Sequence, residues 1–284
     1  LTVSFDRRFT PARADLAADH LRGKIDAPRY VAARAMRVVE ECIPLSREPS
    51  REGSIDTQAL FGEAVDVYDV DEEGWAWGQL RRDGYVGYLP AEGMRPERAA
   101  PTHRVGVIRT FVYPGPNMKQ PPLMALPLGA EVVSTGERGA FLAIDGMGFV
   151  WSAHLNALDT FESDFIAVAE RFLNVPYLWG GKTSAGLDCS GLMQVSLCAC
   201  GVDAPRDSDV MEKNLGAPVT FNDELAGLQR GDLVFWKGHV GVMRDPNVLL
   251  HANGHSMMVS SEPLRVARDR IRAHGSEITS IKRL

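Results

Sequence analysis

The stretch YLWGGKTSAGLDCSGL, residues 177–192, decides how this chain is read. An aromatic, glycine-rich loop hands Cys189 to the first turn of a helix, which the run CSGLMQVSLCACG carries on to Gly201. The thiolate is the reactive form of cysteine. Partial positive charge at a helix N-terminus, with an imidazolium nearby, is expected to bring the thiol well below its free pKa of ~8.5. Among Cys42, Cys189, Cys198 and Cys200, only Cys189 is so placed. The other three read as buried apolar filler, too few for a disulfide framework and without metal-ligand spacing.

A base must come from elsewhere in the chain, because the partner of a catalytic cysteine is adjacent in space and not in sequence. His20 and His103 fall in the N-terminal and linker stretches, His154 in a β-rich segment, His255 in a turn and His274 after the last basic run. His239, opening HVGVM after GDLVFW, and His251, closing VLLHAN, remain. Antiparallel neighbouring strands would set the two rings side by side. His239 would then take the thiol proton while His251 fixes its tautomer and orientation. Asn253, on the same face of that strand by alternation, is the other candidate for the orienting role.

Outward from this centre the chain changes character. Residues 159–284 carry helical spacing in DFIAVAERFLNV and a further helix at SDVMEKNL, then the β-rich runs GDLVFWKGHVGVM, NVLLHAN and SMMVSS, an α+β pattern. Residues 37–98 and 99–158 are short apolar runs parted by turn residues, and they align with one another: LFGEAVDVYDVDEEGWAWGQL with LPLGAEVVSTGERGAFLAI, and DGYVGYLPAEGM with DGMGFVWSAHL. This reads as a duplicated small β-barrel, with DVDEEG as a solvated hairpin. Residues 1–36 hold ADLAADHLRG and YVAARAMRV, rich in helix formers and parted by Pro28, and read as a helical strap.

Composition excludes several classes. The chain of 284 residues is 45% apolar and 24% charged, ordinary for a folded multidomain protein. A net charge of −6 without a Lys/Arg run argues against a nucleic-acid surface or a polybasic membrane anchor. No apolar stretch approaches the roughly 18 residues needed to cross a bilayer. The first residues, LTVSFDRRFTPARADLAADHL, lack an apolar signal core, which favours cytoplasmic residence, with export the expectation if a leader precedes Leu1.

YLWGG, DCSGL, PRDS, GDLVFW with HVGV, and HAN follow one another over the last unit. In this order they resemble the NlpC-type cell-wall cysteine peptidases, which have a papain-like fold. Each β-rich segment resembles a bacterial SH3-like barrel. Together they resemble the γ-D-glutamyl-L-diamino acid endopeptidases that couple such barrels to the catalytic domain. The resemblance implies a catalytic triad of Cys189, His239 and His251 and no cofactor or metal. It implies hydrolysis of the γ-D-glutamyl-diamino acid bond in peptidoglycan stem peptides with a free N-terminal L-Ala. It also implies substrate contacts from Tyr85 of the first barrel, from Asp188 and Ser190 beside the nucleophile, and from Asp207 and Ser208 of PRDSD. An acidic residue of the first barrel is expected near the amine, with Glu48 and Glu52 as candidates. The rival expectations are a wall-binding adaptor with a vestigial catalytic domain, or an amidase or acyltransferase on the same scaffold.

Overall fold

The computed structural model describes residues 5–284 and falls into two compact units that divide after Leu158. The first unit is all β. Seven antiparallel strands form one sheet in the order 55–60, 42–46, 86–90, 75–80, 64–70, 34–38 and 94–96. Alternation along the strands turns Ile43, Leu45, Val65, Val67, Leu80 and Leu89 into a shared core. Two contacts demand glycine: a Cβ on Gly87 would lie 2.3 Å from Leu45 Cδ2, and one on Gly62, at φ +78°, would lie 2.0 Å from the Glu131 carbonyl oxygen.

The strap is not helical. Within residues 5–33, Ala17–Ala18 pairs in parallel with Tyr30–Val31, and Asp19–Leu21 makes a single 3-10 turn; residues 1–4 lie outside the described residues. Arg34–Val38 is already a barrel strand, paired with 64–67 and with 94–96, so the barrel begins before residue 37. Tertiary packing overrides the helix propensity here. Leu16 and Ala18 are buried against Tyr68, Trp77 and Val86, while Arg13 pairs with Asp69 and stacks over the Trp77 ring.

The second β-rich segment has its own core of Val105, Val112, Leu126, Val132, Leu142 and Val150, into which Phe61 also packs. The two segments share one local pattern of elements. Strand 86–90, a 3-10 turn at 91–93 and strand 94–96 recur as strand 148–151, turn 152–154 and strand 155–157. Arg82 ties the two segments together by bonding Glu63 at 2.6 Å and Glu131 at 3.0 Å.

In the second unit, α1 (Phe165–Glu170) is capped by Asp164, which accepts from the Ile166 and Ala167 N–H groups. It stops short of the full apolar run because Asn174 adopts φ +69° and Pro176 follows. Helix α2 (Cys189–Ala199) is buried over most of its surface and packs on strands 239–243 and 248–253. Helix α3 spans Ser208–Asn214. The antiparallel sheet runs 217–218, 278–283, 233–236, 239–243, 248–253, 258–263. Helix α4 (Leu264–Ala273) was not expected: its strongly basic sequence hides the stripe of Leu264, Ala267 and Ile271 that packs on the sheet. Cys42, Cys198 and Cys200 are half-buried rather than fully interior, and none of the four cysteines is in a disulfide. Among the described residues no helix is long and apolar enough to cross a membrane.

Candidate active site

The position of Cys189 is built by Asp188. As N-cap of α2 its Oδ1 accepts the Gly191 N–H at 2.6 Å, and its Oδ2 accepts the Gly180 N–H at 2.8 Å, tying loop to helix. Arg206 closes the cluster with one nitrogen on each oxygen, at 2.9 and 2.6 Å, and a third bond of 2.8 Å to Ser190 Oγ. Arg206 is only 1% exposed, so this is a buried, bidentate ion pair. A Cβ on Gly191 would lie 2.1 Å from the Gly181 carbonyl oxygen, which accounts for the glycine of DCSG.

Cys189 is 7% exposed at the first position of α2. Its environment reverses the expectation of an acidified thiol. Burial, followed by the adjacent Asp188 carboxylate, pushes the thiol up to about 11. Hydrogen bonds from the Val240 and Ser190 N–H groups and the charge of Arg206 act the other way and do not prevail. The helix terminus is outweighed because desolvation penalises the thiolate directly and the nearest full charge is negative. Helix α2 packs on strand 239–243, which opens with His239.

Hairpin chemistry sets the histidine. Trp236 pairs with His239 across the two-residue turn Lys237–Gly238, and Gly238 supplies the positive φ of 74°. A one-residue slip would turn His239 to the other face. The buried Trp236 ring lies 5.6 Å from the His239 ring. His239 Nε2 is hydrogen-bonded to His251 Nδ1 at 2.9 Å. Gly241 makes this possible, since a Cβ there would sit 3.1 Å from His251 Cβ and 2.9 Å from Leu249 Cδ1. Burial, then the neighbouring His251 and Arg270, lower His239 to about 3, so the ring rests uncharged at neutral pH. His251 is fully buried and is the ring bonded to His239. Asn253 instead serves the following turn, donating to Ser260 Oγ and accepting from the Ser256 N–H and Oγ.

Three further groups escaped sequence reasoning. Glu262 Oε1 bonds His251 Nε2 at 2.9 Å, and Arg270 donates to both Glu262 oxygens at 2.6 and 2.5 Å. The Arg270 bonds, then the His251 bond, lower Glu262 to about 2. Tyr177, in the loop before Cys189, is raised by burial and then by Cys189 and Asp188. Only this last residue had a signal, the aromatic opening of YLWGG.

The expected substrate residues divide. Asp188 and Ser190 are buried and bonded to Arg206, while half-buried Asp207 and Ser208 begin α3; Asp207 is its N-cap residue, but its side chain makes no capping bond. Tyr85, in the first unit, is 3% exposed, within the barrel core and edge-on to Phe9 at 5.6 Å. Glu48 and Glu52 are exposed on the turn between strands 42–46 and 55–60. Trp179 is 61% exposed, so the loop's shape is set by Gly180 (φ +76°) and by Gly181, whose Cβ would meet the Gly186 carbonyl oxygen at 2.4 Å. Among the described residues no group of three or more His, Cys, Asp or Glu is arranged to hold a metal.

Comparison with known proteins bears on the family and the fold. Residues 174–274 match the NlpC/P60 family model, and residues 45–94 match a model described as the bacterial dipeptidyl-peptidase Sh3 domain. The chain is 30% identical over 229 residues to a gamma-D-glutamyl-L-lysine dipeptidyl-peptidase of Bacillus subtilis, covering 72% of each. It is 24% identical over 245 residues to dipeptidyl-peptidase 6 of Lysinibacillus sphaericus, covering 76% of this chain and 88% of that one. The crystal structure of an NlpC/P60 family protein from Bacillus cereus shares the fold, with a TM-score of 0.72 over 88% of this chain and 99% of that one, at 19% identity. The chain therefore belongs to the NlpC/P60 family, as a peptidoglycan-related cysteine endopeptidase that couples a papain-like catalytic domain to a bacterial SH3 domain.

Proposed function

We propose that this enzyme hydrolyses the γ-D-glutamyl-diamino acid bond of peptidoglycan-derived peptides bearing a free N-terminal L-Ala, releasing L-Ala-γ-D-Glu. The observation that carries the chemistry is a buried Cys189 at the first position of α2, a helix packed on the strand that opens with His239, whose ring is already bonded to His251 at 2.9 Å. An uncharged thiol and an uncharged imidazole at rest favour general-base activation in the substrate complex over a standing thiolate–imidazolium pair. His239 removes the thiol proton as sulfur attacks the γ-carbonyl carbon. The collapsing tetrahedral intermediate expels the diamino acid amine, which takes that proton from His239, and leaves a thioester on Cys189. Water, losing a proton to His239, then attacks the thioester and frees the γ-carboxylate. The Cys189 N–H, at the first helical position and without an intrahelical acceptor, suits the developing oxyanion.

The bond assignment draws on the relatives, named for γ-D-glutamyl-L-lysine dipeptidyl-peptidase activity. Asp207 is the carboxylate we assign to the substrate amine, with Ser208 beside it; both oxygens of Asp188 are taken up by backbone N–H groups and Arg206, so Asp188 and Ser190 shape the groove through that arginine. The 99–158 segment is assigned to a second SH3-like copy, on the recurrence of its strand–turn–strand ending, while Tyr85, buried in the barrel core, is left to the packing of that core. Mass spectrometry of products from L-Ala-γ-D-Glu-meso-diaminopimelate tests the reading. Release of L-Ala-γ-D-Glu by the wild type and not by Cys189→Ala is expected. Cleavage at another bond, or by both proteins, would overturn it.

A further inference from the structure

The hydrogen-bonded line that begins at His239 does not end at His251. It runs on to Glu262, in the last residues of strand 258–263, and to Arg270, two turns into α4. The catalytic steps above leave Glu262 without a role, although its carboxylate is the only anion bonded to the buried His251 ring among the described residues. We infer that Glu262 is a positioning residue that dictates the tautomers of both histidines and so leaves the lone pair of His239 on Nδ1, the nitrogen available to the thiol. The inference rests on the Cys189–His239 assignment above.

The logic follows from donor and acceptor capacity. An ionised carboxylate only accepts, so the 2.9 Å contact requires the proton of His251 on Nε2. In an uncharged ring Nδ1 is then bare and must accept. Its 2.9 Å partner, His239 Nε2, therefore carries a proton, and the uncharged His239 ring is left bare at Nδ1. The opposite order would set the carboxylate against a bare nitrogen and would place a proton on His239 Nδ1, where the thiol has nowhere to send its own. Arg270 keeps Glu262 ionised and in one rotamer through two bonds. The charged or titratable groups that bear on His239 are His251, Arg270 and Glu262, while the Trp236 ring covers it from the hairpin partner strand. When His239 gains the thiol proton, its Nε2–H donates into the same line, and the new positive charge is stabilised through His251 by the Glu262 carboxylate.

Glu262→Gln tests this, because an amide can donate or accept and so permits both orders. In the full chain, 15N-histidine NMR of Cys189→Ala should show His239 and His251 each protonated at Nε2 alone. Adding Glu262→Gln should give the Nδ1-protonated form in at least one ring. In the otherwise wild-type enzyme, Glu262→Gln should lower kcat by ~10- to 100-fold, the scale of a bond to a charged group, with KM little changed. Glu262→Asp, which retains the carboxylate, should keep the Nε2 tautomers and recover part of the rate. Unchanged tautomers in Glu262→Gln, with or without loss of rate, would overturn the inference, as would a His251 protonated at both nitrogens in the parent. Persistent activity in Cys189→Ala would instead overturn the nucleophile assignment, whatever Glu262 does.

Discussion

Replacing Arg206 by Met removes the cation from a buried carboxylate while nearly preserving side-chain length. Asp188 would lose its two charge-assisted contacts and Ser190 its one, while Asp188 would retain the N–H groups of Gly180 and Gly191. At 7% and 1% exposure neither Asp188 nor Arg206 is much screened by water. Breaking such a pair from one side typically costs about 3–5 kcal/mol, because an uncompensated charge stays behind. For a unit of this size that corresponds to a fall of roughly 10–20 °C in Tm. Differential scanning calorimetry of the full chain measures it, and the transition assigned to the catalytic unit should move while that of the β unit stays. Arg206 also opposes the rise in the Cys189 thiol, so the variant should alkylate at Cys189 more slowly below pH 9. A loss below about 1 kcal/mol would refute the reasoning, since backbone N–H groups alone would then suffice for the carboxylate.

Three other outcomes follow from the same geometry. Gly241→Ala, whose Cβ crowds Leu249 and His251, should tilt the His251 ring and lower kcat by ~10-fold or more with the fold retained, as read by steady-state kinetics and near-UV circular dichroism. Because Cys189 is raised to about 11, its iodoacetamide reaction rate, taken against Cys189→Ala, should keep climbing through pH 9; a plateau below pH 8 would contradict the buried-thiol reading. Glu262 is held near 2 in the fold against an ordinary 4.5, so its contribution to stability is complete above pH 4.5 and is lost as pH falls towards 2. Urea unfolding should show wild type more stable than Glu262→Gln at pH 6 and the two converging at pH 2.

Much of the site is legible in the sequence because its pieces are local. The glycine-rich loop, the helix that starts at Cys189 and the Trp236–His239 hairpin are each specified within a few residues, by turn geometry and apolar period. Alternation along 248–253 places His251 and Asn253 on one face, and the motif order joins them to the cysteine. The choice between those two is not local: Asn253 is claimed by Ser256 and Ser260, and the gap at Gly241 lets His251 reach His239. The all-β character of the first unit is likewise readable, since turn residues and alternation follow the strands.

The strap shows where local reading fails. Its alanines and leucines favour a helix in isolation, yet burial of Leu16 and Ala18 on the barrel, with the Arg13–Asp69 pair, outweighs a propensity difference of a few tenths of a kcal/mol per residue.

By itself, then, the sequence determined that a papain-like catalytic domain accompanies a bacterial SH3-type domain, and it singled out Cys189, His239 and His251 as candidates, because short-range stereochemistry and the order of the motifs encode them. Only the tertiary structure decided the ionisation of the site and the line that orients it. Whether Cys189 is acidified or suppressed depends on how much water burial removes and on which charge lies nearest. Glu262 and Arg270 enter through a strand end and a basic helix whose residues carry no motif. Desolvation and pairing are properties of groups brought together across the fold, so no single segment contains them.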